Sequence, residues 1–160
     1  MLLPKLKTKS SGLLAAFVVS LLTLTGFPLS AQAPGALAHD DPASFVGLTL
    51  TEVINRFGIP RSVHAERGLM EWQDDVVFVY DHANFYIYGD RVWQVGVRSI
   101  RGINVGDLRG LVELVMGANA VAQGNSIFYP LHVAPWPMLL RWDIDSVGRV
   151  QSIFIYRSDL

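Results

Sequence analysis

The sequence predicts an α+β fold of two degenerate repeats, each a short helix followed by an antiparallel β-meander of three or four strands. Three observations predict it. A helix with explicit end signals opens at Gly47, and a similar apolar pattern opens at Gly102. Each is followed by short runs of alternating apolar residues, the period of half-buried strands. A turn followed by Arg-Val precedes the last strand of each set, at Arg91-Val92 and Arg149-Val150. The expected boundaries are residues 1–38 for an export signal, 39–46 for a connecting segment, 47–100 for the first repeat and 101–160 for the second.

The amino-terminal assignment follows from charge and hydropathy. Lys5, Lys7 and Lys9 precede the uncharged run GLLAAFVVSLLTLTGFPLS, and small residues follow in AQAPGALA. A basic start, an apolar stretch and an A-x-A site form an export signal. The sites Ala31-Gln32-Ala33 and Ala36-Leu37-Ala38 compete. Pro34 after the first favours cleavage after Ala38, so that His39 begins the mature chain. The alternatives are cleavage after Ala33, or retention as an anchor, since the run approaches the roughly 20 residues a span needs. Beyond the signal, ten arginines face fourteen acidic residues and there is no basic run. That argues against a nucleic-acid or anionic-lipid partner. No cysteine is present, so packing alone must hold an exported domain together.

The helix of the first repeat reads GLTLTEVINRFGIP. Thr49 is the N-cap and Glu52 completes a capping box. Leu48 and Val53 occupy the staple positions, Leu50, Val53, Ile54 and Phe57 share a face, and Gly58 with Pro60 ends the helix. In the second repeat Asn104 is the expected cap and Asp107 the first-turn acid. Ile103 and Leu108 form the staple, Val105, Leu108, Val112 and Val115 the buried face, and Gly117 the stop.

Strands are expected at 76–80, 84–88 and 91–98, with a shorter one near Ser62–Glu66 or Leu69–Trp72, and then at 126–129, 137–144 and 149–157. Gly89-Asp90 is a two-residue hairpin signal. HVAPWP is too proline-rich for a central strand.

The pattern Gly-x-Thr-x-x-Glu-aliphatic leading to Phe57-Gly58-x-Pro60, followed by a meander, resembles the BamE/SmpA-type modules of bacterial envelopes. The tandem arrangement over about residues 45 to 158 is similar to the fold of β-lactamase-inhibitor proteins. The resemblance implies a non-enzymatic module that binds protein, periplasmic or secreted. BamE-type proteins carry a lipidated cysteine and one module, and this chain departs from both features.

Alternation assigns faces to the strands. Trp93, Val95, Val97, Phe85, Ile87, Val77, Val79, Ile153 and Ile155 are expected under the helices. The opposite face then carries Phe78, Tyr80, Tyr86, Tyr88, Arg98, Arg141, Phe154 and Tyr156, with the small Gly96 among them. Tyr, Phe and Arg are the types that dominate binding hot spots, so these eight are the candidate protein-binding residues. Burial under the other repeat is the competing reading.

Catalytic signatures are missing. No thiol, Gly-x-Ser-x-Gly elbow or phosphate loop occurs. DIDSVG starts like a calcium loop but fails at Val147 and Phe154. No cofactor is expected. The different-class alternative is an enzyme or a copper protein, the latter with the amine and imidazole of His39 and a second histidine as ligands once the signal is removed. Within binding, the alternative is an inhibitor of an extracellular or periplasmic enzyme.

Overall fold

The structure, a computed structural model, describes residues 41–67, 74–132 and 135–159. The expected signal, its cleavage sites, His39 and the whole of the possible strand at 69–72 lie outside the described residues. A 3-10 turn at Pro42–Phe45 leads to helix α1 (Leu50–Phe57). Strands β1 (Ser62–Arg67), β2 (Asp74–Val79), β3 (Ala83–Tyr88) and β4 (Arg91–Val97) follow. A small hairpin of β5 (Ser99–Ile100) and β6 (Ile103–Asn104) precedes helix α2 (Arg109–Met116). The last strands are β7 (Val121–Gln123), β8 (Ser126–Leu131), β9 (Met138–Ile144) and β10 (Val150–Arg157).

The expectation of two helix-plus-meander repeats is overturned by the strand order. Eight strands form one antiparallel sheet, β1-β2-β3-β4-β10-β9-β8-β7, so the described residues form a single sheet-dominated domain with two short α-helices. The joint is the β4–β10 pair, with Val97 opposite Ile153 and Val95 opposite Ile155. Local patterns report each hairpin but carry no information about which outer edge meets which. One fastening device used twice produced the impression of separate units. Arg91 Nη1 donates to the Gly47 carbonyl at 2.9 Å, and Arg149 Nη1 to the Gly106 carbonyl at 2.8 Å.

Helix α1 forms as its end signals require. Thr49 Oγ1 accepts from the Glu52 amide at 3.2 Å, and Glu52 Oε2 accepts from the Thr49 amide at 2.8 Å. Two donors that the first turn leaves unpaired are thereby satisfied. Gly58 closes the helix at φ +77°, a left-handed conformation that favours glycine.

Helix α2 differs from expectation. It begins after Leu108, which supplies no side-chain cap. Asn104 and Asp107 instead close a turn one step earlier, the Asn104 amide donating to Asp107 Oδ2 at 2.7 Å. The staple does not form either, because Ile103 is buried while Leu108 is exposed. Of the expected apolar face only Val112 is buried, joined by Met116, and Val105 and Val115 face solvent.

Both helices and the Pro42–Phe45 turn lie on one side of the sheet. Val53, Val112, Met116, Ala43 and Phe45 share a core with Phe85, Ile87, Val92, Val95, Leu140, Trp142, Ile153 and Ile155. A second cluster on the other side joins Val77, Tyr86 and Trp93, with Val79, Phe154 and Tyr156 packed against it.

Five face assignments are corrected by this division. Trp93 lies away from the helices because of a β-bulge: Tyr86 pairs with Gln94 but Ile87 pairs with Val92, so Trp93 is the extra residue. Val77 and Val79 belong to the second face, whereas Phe78 and Tyr80 pack in the helix-side core. Pro130 sits within β8 without cost to the ladder, since β7 pairs only as far as Phe128.

Candidate functional site

The side of the sheet opposite the helices is organised in rungs. One rung crosses from Val79 to Asn84, Gly96, Phe154, Arg141 and Phe128, each opposite the next on its neighbouring strand. The adjacent rung holds Val77, Tyr86, Gln94 and Tyr156. Gly96 stands near the middle of the sheet and places no side chain over it. A methyl group added there would lie 3.3 Å from Phe154 Cε1 and 3.6 Å from Tyr86 Cε2. The glycine thus leaves a shallow hollow between two aromatic rings, narrow enough that even a methyl group would press on the Phe154 ring. It is part of a groove of about 720 Å³ that runs from the β2–β3 turn across to β10.

The aromatic groups are fixed by their neighbours. Tyr86 meets Phe154 edge-to-face at 6.0 Å, and Trp93 meets Tyr156 the same way at 6.4 Å. Trp93 Nε1 donates to Asp75 Oδ1 at 2.9 Å in buried surroundings. The guanidinium of Arg141 lies 4.8 Å from the Phe154 ring and 5.6 Å from the Tyr156 ring, a cation–π arrangement. Its Nε stands 3.2 Å from Asp143 Oδ1, yet it forms no aligned hydrogen bond; the contact is an ion pair only. Asp143 is held in turn by Ser126 Oγ at 2.7 Å and Ser152 Oγ at 2.9 Å.

Burial pushes the Tyr86 phenol above its ordinary 10.0, helped by the Glu66 and Asp75 carboxylates and opposed by Arg141. Burial also raises Tyr156, with Arg141 lowering it and Asp143 raising it. Both rings are therefore neutral hydrogen-bonding groups in ordinary conditions.

Of the eight candidate residues, Tyr86, Phe154, Tyr156 and Arg141 are brought together on this face. Tyr86 is only 9% exposed, so it is a wall of the groove rather than a free contact. Tyr88 follows on the same face of β3 and is 38% exposed. Arg98, just past β4, is exposed at one end of the groove. Phe78 and Tyr80 do not join them. Phe78 is buried among the helix-side residues, and Tyr80 packs on Phe57 and Phe85 while its hydroxyl donates to the Gly58 carbonyl at 2.9 Å.

Trp93, Val77, Asp75 and Asn84 belong to the face but were not among the candidates. The usable signal was Val92-x-x-Val95: two valines three apart share a face of a strand only if a bulge intervenes.

Among the described residues no cluster of three or more His, Asp or Glu side chains is arranged to hold a metal ion. No helix among them is long and apolar enough to cross a membrane. What the arrangement offers is a shaped, partly aromatic surface with polar ends.

No family model matches the chain, and no curated protein matches it. Among solved structures it is similar to the 1.5 Å crystal structure of an extracellular protein containing a SCP domain from Bacillus anthracis str. Ames. The identity is 10% and the TM-score 0.48, covering 75% of this chain and 46% of that one. The chain therefore spans less than half the length of that protein, and a likeness at this level carries no functional reading.

Proposed function

We propose that this chain is an exported, non-enzymatic protein-binding module whose contact surface is the sheet face opposite the helices. The observation that carries the reading is the groove itself. Gly96 opens a shallow hollow between Tyr86 and Phe154, and Trp93, Tyr156 and Arg141 pack beside these rings on the same face. Aromatic walls fixed by mutual packing offer contact area at little entropic cost, which is how hot spots are built. Tyr88, Phe154, Tyr156, Arg141 and Arg98 supply the contacts. The amino-terminal signal pattern and the likeness of Gly47–Pro60 to envelope modules support a periplasmic or secreted setting. Inhibition of an exported enzyme is one use of the same surface.

The test is capture from envelope extract and culture medium by the chain expressed from its full-length sequence and immobilised in its processed form. Gly96→Val fills the hollow and is expected to abolish retention of a saturable partner. Leu114→Ser, on the exposed side of α2, is expected to leave it unchanged. Circular dichroism confirms that both variants are folded. A partner retained by Gly96→Val and lost by Leu114→Ser would move the binding surface to the helix side and overturn the reading.

A further inference from the structure

The groove is electrostatically unbalanced. Of the charged residues that line it, Arg61 and Asp81 form an ion pair with each other. Arg98 does not share in any such pairing. Among the described residues its guanidinium has no hydrogen-bond, ion-pair or ring partner, although its backbone carbonyl accepts from the Val105 amide at 2.9 Å. The side chains of Asn84 and His82, which also line the groove, likewise have no partner among the described residues. Asn84 is opposite Gly96, and His82 precedes the Ala83–Val97 pair just as Arg98 follows it. The topology therefore brings a free guanidinium, an amide and an imidazole to the same end of a hollow with an aromatic floor.

A guanidinium offers five N–H donors in a planar fork that matches a carboxylate. At about 720 Å³ the groove also extends well beyond a single carboxylate. The complementary occupant has one carboxylate for Arg98 and neighbouring aromatic or apolar groups for Tyr86, Gly96 and Phe154.

Resting on the reading of this face as a protein-binding surface, we propose that the groove recognises an Asp or Glu side chain within an extended segment of a partner protein. Arg98 binds the carboxylate, Asn84 and His82 flank it, and the residues beside the acid lie across the Gly96 hollow.

The test uses the ¹⁵N-labelled protein, expressed from the full-length sequence and purified in its processed form, with defined probes. These are the blocked pentapeptide acetyl-Gly-Tyr-Asp-Tyr-Gly-amide, its Asn analogue, the Asn analogue with a free terminal carboxylate, and sodium acetate. The Asp peptide is expected to shift the amide signals of Asn84, Gly96, Arg98 and Ser99, with millimolar or tighter binding. The blocked Asn peptide is expected to bind at least about tenfold more weakly, which is ~1.4 kcal/mol. Arg98→Gln is expected to remove the difference between the Asp and Asn peptides.

Equal binding of the Asp and Asn peptides would overturn acid recognition and leave the protein-binding surface standing. Acetate matching the Asp peptide, or the free-acid Asn peptide matching it, would also overturn the proposal, because the site would then take a small anion or a chain terminus. Unchanged discrimination in Arg98→Gln would overturn the role of Arg98.

Discussion

Replacing Trp93 by Phe tests the bulge that shapes the groove-side face. The indole Nε1 donates to Asp75 Oδ1 at 2.9 Å, and both residues are buried. A buried hydrogen bond to a carboxylate stabilises by about 1.5–3 kcal/mol. Shrinking indole to phenyl also withdraws roughly 40 Å² of apolar contact, about 1 kcal/mol at ~25 cal/mol per Å². Trp93→Phe is thus expected to cost about 3 kcal/mol in urea denaturation followed by circular dichroism. Asp75 has further interactions, so Asp75→Ala alone does not isolate the bond. The double variant does: it is expected to be less destabilised than the sum of the singles by about 1.5–3 kcal/mol, well above the ~0.5 kcal/mol scatter of independent sites. Plain alternation would turn Trp93 toward the helices, away from Asp75. Additive single effects would therefore refute the bulge and the face assignment that depends on it.

The remaining expectations concern the helix entry, one glycine and the tyrosines. Thr49→Ala is expected to cost about 1 kcal/mol in denaturant midpoints, and Thr49→Ser only a few tenths, because the serine hydroxyl still caps. The Thr49 backbone and side-chain hydrogen bonds hold Glu52 below its ordinary 4.5. Its contribution is therefore present above that value and lost as pH falls through the lowered one, so the thermal midpoints of wild type and Glu52→Gln converge on acidification. Gly47 has φ +93°, and a methyl group there collides with the Trp136 ring. Gly47→Ala should cost more than about 2 kcal/mol and change tryptophan emission, combining left-handed strain with the clash. Burial raises Tyr80, Tyr86 and Tyr156 above 10.0, so in absorbance titration three phenols should ionise later than free tyrosine. Their contribution to stability is full below that ordinary value and is lost as pH rises through the raised ones.

What the sequence made legible was what is encoded locally. Thr49 and Glu52 cap a helix by contacts three residues apart, and Gly89-Asp90 sets its hairpin by positive φ at both residues. β3, and β10 from Ser152 onward, alternate without interruption past Tyr86, Phe154 and Tyr156, so their common face could be read directly. In β2 the run VVFVY is apolar on both faces, and only the pairing of Val77 with Tyr86 decides that Phe78 turns inward. Trp93 was misplaced because the bulge depends on its partner strand. Helix α2 was misread for a different reason: its exposed leucines and valines mimic a broad buried stripe, while the sheet beneath it accepts only Val112 and Met116. The β4–β10 joint links strands far apart in the chain, and no nearest-neighbour pattern contains it.

That joint also imposes an order on assembly. β10 lies between β4 and β9, yet it is the last described strand to emerge when the chain is made or moved amino end first. Until residues 150–157 arrive, the inner edges of β4 and β9 have no neighbour, and the Arg149 clamp on Gly106 is incomplete. Contacts so distant in sequence form late, because the loop between them must be closed before they contribute. A segment delivered through a narrow channel would thus stay unlocked in transit and close its centre in one late step. The middle of the sheet, rather than either edge, is where timing is decided.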